Sequence, residues 1–281
     1  MTSSNSEKSR GSVREPVAES IRVSRTGHVA TVEIDRPDKR NALSYDVLTQ
    51  LHSILEGLAA DSETRVAIVG STGKVFCAGM DISGGLPETI TEDAALMHRI
   101  MGRLLAIRDM PLITVARVQG PCIGGGMLLT SCCDLLVASE DASFALPMLP
   151  LGAGYIAPAL SLVVGARRAK QLALEYGSSI DAATALQWGL ANDVVPAAAL
   201  NDVAAALAER IARAPAEALN GQKLSVNRVE DIQGFSSAMR VGIEIDAVIH
   251  FAPAIRPMQE ALKSLGVRKA VDAFRAGKIE F

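Results

Sequence analysis

Two short segments combine an apolar run with small residues and could present free backbone N–H groups to a ligand. The first runs from Val75 to Ile82 (VFCAGMDI), and the second runs from Val118 to Met127 (VQGPCIGGGM). Glycine has no Cβ and lets a ligand approach the backbone closely, and the first N–H groups of a helix have no intrahelical partner. Two such donors directed at one oxygen atom would stabilise negative charge on it. The two segments therefore predict an oxyanion-binding site.

Other interpretations of the glycine-rich segments also have to be considered. The three glycines at 124–126 are equally compatible with a tight turn that lets a helix pack closely. Residues 152–157 (GAGYIA) fit the G-x-G-x-x-A dinucleotide fingerprint, with Glu175 near the spacing of a ribose-binding acid. The preceding LPMLPL carries two prolines, however, which a central parallel strand cannot accommodate because each removes a ladder donor. Residues 70–75 (GSTGKV) lack the spacing and the Ser/Thr of a P-loop.

The order of four motifs resembles the enoyl-CoA hydratase/isomerase (crotonase) superfamily. The motifs are DRPDKRNAL at 35–43, FCAGMD at 76–81, GPCIGGG at 120–126, and Cys133-Asp134 before an apolar run. The resemblance covers nearly the whole chain from about Ile21 to Phe281. It implies an α/β fold, a crotonase-like spiral of β-β-α units with a C-terminal helical trimerisation region. It also implies an acyl-CoA or enoyl-CoA thioester as ligand, with coenzyme A as part of the substrate and no separate cofactor or metal ion.

The same resemblance assigns roles to individual residues. The backbone N–H groups of Ala78 and Gly125 would form the oxyanion hole for the thioester oxygen. Because Gly125 opens a predicted helix, the helix dipole would add to the stabilisation of negative charge. The other matched residues would bind substrate, with Lys39, Arg40 and Ala42 near the CoA nucleotide and Met80, Asp81 and Ile82 near the adenine and pantetheine.

Two positions depart from the family pattern. Hydratases of the family use two glutamates, and this chain has Leu128 and Met148 in their places. Hydration needs a base to activate water and an acid to protonate the α-carbon, and neither side chain can transfer a proton. A standard hydratase is therefore not expected. One alternative is a lyase or isomerase with a nonstandard acid/base group, or a reaction that needs only enolate stabilisation. The other is a noncatalytic acyl-CoA-binding protein of fatty-acid metabolism.

Five titratable residues are candidates to replace the glutamates. Glu88, Asp93 and His98 follow the first donor segment, Tyr155 follows Met148, and His250 lies in the C-terminal part of the chain. A titratable residue without a visible partner is weak evidence for catalysis. The ordinary interpretation is that Glu88 and Asp93 are solvated acids in a loop and a first helical turn, and that His98 lies on or near a helix surface.

Composition excludes several other classes of protein. The chain has 281 residues, 49% of them hydrophobic, which is enough to bury a full core. Its net charge of −3 gives no electrostatic reason to expect nucleic acid or an anionic membrane as partner. The apolar runs are too short to span a membrane, and the first residues contain no apolar signal region. A cytoplasmic protein is expected. The four cysteines lack the spacing of a zinc site or a disulfide framework.

Sequence patterns divide the chain into three regions. We expect a disordered tail at residues 1–17, an acyl-CoA-binding core at 18–196 and a helical region at 197–281. Within the core, a hairpin turns at Thr26-Gly27, Ser44 caps a helix that ends near Ala60, and 66–69 and 112–118 form buried strands. The helical region is expected to form helices over 197–213, 216–229, 234–251 and 253–265. The resemblance implies that these helices build a homotrimer or a dimer of trimers, whereas the sequence alone also allows a monomer with a helical cap.

Overall fold

The computed structural model describes residues 20–82, 87–147 and 157–279. Within these ranges the chain is a mixed α/β protein with two sheets. The described strands are β1 (Ile21–Thr26), β2 (Val29–Ile34), β3 (Val66–Ser71), β4 (Ile113–Val118), β5 (Pro121–Ile123), β6 (Leu135–Ser139), β7 (Ser143–Ala145), β8 (Ser179–Asp181) and β9 (Asp193–Val195). The predicted tail at 1–17 lies outside the described residues, as do Met148, Tyr155 and most of the 152–157 motif.

The larger sheet has the strand order β1-β2-β3-β4-β6-β9, and the smaller sheet has the order β5-β7-β8. The predicted hairpin is confirmed, because β1 and β2 pair antiparallel across a turn in which Gly27 has a φ of 56°. The other neighbours in the larger sheet are parallel. The two predicted buried strands are β3 and β4, and every residue of both is buried. Such burial is expected of parallel strands that are covered on both faces.

One face of the larger sheet packs against helices that precede β9. These helices are α1 (Tyr45–Ala60), α2 (Ile90–Asp109), α3 (Gly125–Ser131), α4 (Ala157–Val164), α5 (Ala166–Leu174) and α6 (Ala182–Trp188). Ser44 caps α1 as predicted, since its hydroxyl accepts a hydrogen bond from the N–H of Val47 at 3.2 Å. Four leucines of α1 are buried in the main hydrophobic core: Leu48, Leu51, Leu55 and Leu58.

The C-terminal region is helical, as predicted, and it packs on the rest of the fold. Its helices are α7 (Leu200–Ile211), α8 (Ala216–Ile232), α9 (Phe235–His250), α10 (Arg256–Leu265) and α11 (Val267–Arg275). The last was not predicted; Gly266, with a φ of 75°, separates it from α10. Helix α7 covers the other face of the larger sheet, whereas α9 packs against α2 and α4. Among the described residues, no helix has the length and apolar character needed to cross a membrane.

Candidate functional site

Asn41 ties the loop after β2 to the loop after β3. It adopts the left-handed conformation with a φ of 54°, which asparagine tolerates better than most residues. Its buried side chain accepts a hydrogen bond from the N–H of Arg36 at 2.9 Å and donates to the carbonyls of Thr72 and Val75, both at 2.7 Å. These bonds fix the backbone of Arg40, which also has a positive φ of 50°.

Residues 77–82 of the first donor segment lie between this loop and β5. The N–H and carbonyl of Cys77 both bond to β5, at 3.1 and 2.9 Å. Gly79 then adopts a φ of 107°, and the backbone hydrogen bonds of the segment pass from β5 to Leu43. Beyond this point, Leu43 donates to the carbonyl of Gly79 at 2.9 Å and accepts from the N–H of Asp81 at 2.8 Å. Because Gly79 and Asp81 both bond to Leu43 in a parallel bridge, the N–H of the intervening Met80 points away from Leu43.

The two backbone donors in this segment have different surroundings. The N–H of Ala78, the predicted donor, is hydrogen-bonded to the carbonyl of Arg40 at 3.0 Å. The N–H of Met80 forms no hydrogen bond with any residue in the described ranges. A Cβ placed on Gly125 would lie 3.2 Å from the nitrogen of Met80, so the two residues are adjacent. The sequence resemblance assigns Met80 only to substrate contact, because the pairing of residues 78–81 with Arg40 and Leu43 is not visible in the sequence.

The three glycines of the second donor segment allow α3 to pack closely against the first donor segment. Gly124 has a φ of 50°, and its N–H donates to the carbonyl of Ala145 at 3.0 Å. A Cβ on Gly126 would lie 2.7 Å from Cβ of Cys77, so only glycine fits there without a shift. Gly125 starts α3, where the first N–H groups have no partner within the helix. The tight-packing interpretation is thus correct for Gly126, and it also brings Gly125 beside Met80.

The remaining substrate-binding candidates lie around these two segments. Lys39 and Arg40 are exposed, and Ala42 and Ile82 are partly buried. Asp81 braces the first donor segment, since its Oδ2 lies 3.2 Å from Nη2 of Arg36. The exposed cations can meet an anionic ligand without first breaking an ion pair that the structure describes.

Cys77 and Leu128 are apolar neighbours of the site. Cys77 is fully buried, and this burial raises the pKa of its thiol to about 12, so the side chain is uncharged at neutral pH. Leu128 is also fully buried and belongs to the main hydrophobic core. Met148, the second position that departs from the family pattern, lies outside the described residues.

The titratable candidates separate into exposed and buried groups. Glu88 and His98 are exposed, so the surface interpretation of both is confirmed. The interpretation of Asp93 as a solvated acid is wrong, because the residue is 4% exposed. Its Oδ2 lies 2.7 Å from Nδ1 of His250. These two residues are 157 positions apart, so no local pattern could have paired them. Tyr155 lies outside the described residues.

Comparisons with known proteins identify related sequences and structures. A family model described as enoyl-CoA hydratase/isomerase matches residues 24–241. A probable enoyl-CoA hydratase of Mycobacterium leprae is 34% identical over 69% of this chain and 78% of the relative. A mevalonyl-coenzyme A hydratase of Aspergillus fumigatus is 33% identical over 67% of this chain and 70% of the relative. The crystal structure of a putative enoyl-CoA hydratase/isomerase from Novosphingobium aromaticivorans superposes with a TM-score of 0.86 at 30% identity, covering 91% of this chain and 95% of that one. The predicted α/β fold of this family is thereby confirmed, while the trimerisation role of the C-terminal helices stays a prediction.

Proposed function

This chain belongs to the enoyl-CoA hydratase/isomerase family, and on that premise we propose that it is an enzyme that stabilises the enolate of an acyl-CoA thioester by a route other than standard hydration. The observation that carries the proposal is that the backbone nitrogen of Met80 lies directly beside Gly125, 3.2 Å from where a Cβ of that residue would stand. Their two N–H groups would hold the thioester oxygen as the oxyanion hole. Family members act on CoA thioesters, and this geometry supports the same substrate class here.

Met80 takes the place of Ala78 in this proposal. The N–H of Ala78 would have to leave the carbonyl of Arg40 before it could bind a substrate oxygen. Such a loss would leave a carbonyl without its partner, which costs about 1–3 kcal/mol when the group is buried. Met80 needs no such exchange. Both glycine-bearing loops are held by backbone hydrogen bonds, so the two donors are arranged before substrate arrives, which is the condition for efficient charge stabilisation.

The rest of the substrate would extend on both sides of the donors. Exposed Lys39 and Arg40 would attract the phosphates of the CoA nucleotide, while Ala42, Asp81 and Ile82 would border the adenine and pantetheine. The acyl group would point toward Leu128 and Met148. Apolar side chains at these two positions cannot activate water or protonate carbon, so we propose a lyase or isomerase reaction with a different acid/base group.

A noncatalytic acyl-CoA-binding protein is the second candidate. The identity of Leu128 favours it, because an apolar side chain stands where the family hydratases have a carboxylate. The two candidates share the same ligand and differ only in proton transfer. Exchange of the α-protons of bound butyryl-CoA with D2O, followed by NMR, separates them. Exchange faster than in free butyryl-CoA supports an enzyme, and exchange at the free rate supports a binding protein.

We expect the protein to bind butyryl-CoA about tenfold or more tighter than free CoA, since the thioester oxygen gains two preorganised hydrogen bonds. Isothermal titration calorimetry with both ligands measures the difference. The nucleotide and pantetheine are common to the two ligands, so free CoA is the matched control. Equal affinities would show that the thioester oxygen does not engage the donors, and the proposal would then be wrong.

We also propose that the chain assembles as a homotrimer or a dimer of trimers. The described parts of α8 and α9 expose large apolar side chains: Leu224, Val226, Val229, Ile232, Val241, Ile245, Val248 and Ile249. Ile232 is 86% exposed, and an apolar surface of this size is usually covered by another protein surface in water.

Light scattering at micromolar concentration should give the mass of three or six chains. The double substitution Val229→Asp plus Val248→Asp should lower this mass, whereas Val23→Asp, at an exposed position on β1, should leave the mass unchanged. A monomeric mass for the unmodified protein would contradict the proposal.

A further inference from the structure

One arginine side chain links the loop after β2 to the first donor segment. Nη1 of Arg36 donates to the carbonyl of Ala42 at 2.7 Å, and Nη2 of the same guanidinium donates to Oδ2 of Asp81 at 3.2 Å. The side chains of Arg36 and Asp81 are only 19% and 13% exposed. Ala42 immediately precedes Leu43, and Asp81 immediately follows Met80. The guanidinium therefore holds a residue on each side of the parallel bridge between Leu43 and Met80.

This bridge sets the direction of the Met80 N–H. Leu43 donates to the carbonyl of Gly79 at 2.9 Å and accepts from the N–H of Asp81 at 2.8 Å. Met80 lies between these two bonds, and its own N–H forms no hydrogen bond with the part of the chain that the structure describes. The direction of this N–H therefore depends on the bonds of its neighbours. A contact that holds Leu43 and Asp81 together also holds the donor.

The loop that carries Leu43 has a strained backbone. Arg40 and Asn41 both adopt the left-handed conformation, with φ of 50° and 54°. Residues other than glycine rarely do so, and such a conformation persists only where the surrounding contacts enforce it. The backbone of Arg36 supplies two of these contacts, since its N–H donates to Oδ1 of Asn41 and its carbonyl accepts from the N–H of Asn41, both at 2.9 Å. Arg36 therefore fixes the shape of the loop as well as its attachment to the donor segment.

We propose that Arg36 is a positioning residue for the oxyanion hole, and that it holds the N–H of Met80 in place through Ala42 and Asp81. This inference rests on the proposed function, in which Met80 and Gly125 bind the thioester oxygen. Donors stabilise an oxyanion best when they are fixed before the substrate arrives. A displacement of about 1 Å at a reacting centre can lower a rate by about 10²-fold.

Calorimetry with butyryl-CoA and free CoA tests the proposal in Arg36→Lys. Lysine keeps the positive charge beside Asp81, so the fold should persist, but a single nitrogen cannot reproduce the two contacts of the planar guanidinium. We expect free CoA to bind as it does to the parent. The preference for butyryl-CoA should fall from about tenfold to about twofold or less, the effect of about one hydrogen bond. A direct contact of Arg36 with the nucleotide would instead weaken both ligands equally.

Two more single variants extend this test. Asp81→Asn weakens the same contact from the other side and should also reduce the thioester preference. Because both ligands share the nucleotide and pantetheine, their affinity ratio is independent of any contact that Asp81 makes to those groups. Arg117→Lys is the matched control. It alters another partly buried ion pair, with Glu33 at 2.6 Å, in a cavity beside the start of α7, and it should leave the preference unchanged.

A double variant tests whether Arg36 acts through the donors. Gly125→Ala places a methyl group beside the Met80 nitrogen. Residues that act through one shared group have non-additive effects, so Arg36→Lys added to Gly125→Ala should not change the thioester preference further. A second loss as large as that in the parent would show that Arg36 acts independently of the donors, and the inference would be wrong.

Hydrogen–deuterium exchange without ligand measures the donor segment directly. Ala78 and Asp81 donate to the loop after β2, so the amides of residues 77–82 should exchange about 2–10-fold faster in Arg36→Lys, as for the loss of one hydrogen bond. Arg117→Lys should exchange there at the parent rate. Parent-like thioester preference in folded Arg36→Lys, or equal weakening of both ligands, would overturn the inference and leave the proposed function standing. Equal affinity of the unmodified protein for the two ligands would overturn the proposed function, and this inference with it.

Discussion

Replacing Gly125 with alanine is expected to remove the preference of the protein for a thioester over free CoA. The new Cβ would lie 2.8 Å from Sδ of Met80 and 3.2 Å from its backbone nitrogen. The flexible side chain of Met80 can move aside, but the backbone nitrogen cannot, so the methyl group would stand beside the donor that the thioester oxygen needs. Loss of one oxyanion donor typically lowers a rate by about 10²–10³. We expect α-proton exchange of butyryl-CoA to fall by that factor in Gly125→Ala, where the parent catalyses it.

The structure provides a matched control for this substitution. Gly102 lies inside α2, and a Cβ built there has no heavy atom within 4 Å. Gly102→Ala should therefore keep the thioester preference and slightly stabilise the helix, by about 0.5–1 kcal/mol. Gly125 is not among the glycines with positive φ, so its backbone also accepts alanine and the fold should persist. Thioester preference that is retained in a folded Gly125→Ala would contradict the assignment of Met80 and Gly125 as the donors.

The sequence predicted the elements that depend on local patterns. The hairpin at Gly27, the Ser44 cap and the buried strands β3 and β4 follow from turn chemistry, capping and runs of apolar residues, each of which acts within a few positions. The C-terminal helices were placed by the same kind of pattern. Helix α11 was missed because Gly266 is a strong stop signal, and nothing in the sequence shows that a second helix starts directly after it.

The site was only partly predictable because its geometry depends on contacts between distant segments. The motifs locate both glycine-bearing segments in the sequence. The N–H of Ala78, however, donates to the carbonyl of Arg40, and this carbonyl is oriented by the left-handed backbone of Arg40 and Asn41. The Asp93–His250 pair depends on the packing of α9 against α2. A lone acid and a lone histidine carry no signal of such a pairing, so each appeared weak as a candidate when considered alone.

Crotonyl-CoA hydration is expected to be very slow in the unmodified protein and to rise in Leu128→Glu plus Met148→Glu. A general acid and a general base each accelerate a reaction by about 10²–10⁴-fold. If the two factors multiply, loss of both lowers the hydration rate by about 10⁴–10⁸-fold. Leu128 lies three residues after Gly125, nearly one helical turn along α3, and a carboxylate there would be close to the donors. Each single substitution should give less than the double one, because one group activates the water and the other protonates the α-carbon.

The gain should be limited by the surroundings of residue 128. Leu128 is fully buried in the core, so a glutamate there raises its own pKa and destabilises the fold unless it finds a partner. We therefore expect the double variant to have a lower melting temperature as well as faster hydration. The hydration rate is measured from the decrease in absorbance of the enoyl thioester. Leu128→Gln plus Met148→Gln is the matched control, because glutamine has nearly the same shape as glutamate but cannot act as an acid or a base. It should hydrate no faster than the parent. Efficient hydration by the unmodified protein would show that other groups supply the acid and base, and Asp93 and His250 would be the first to replace.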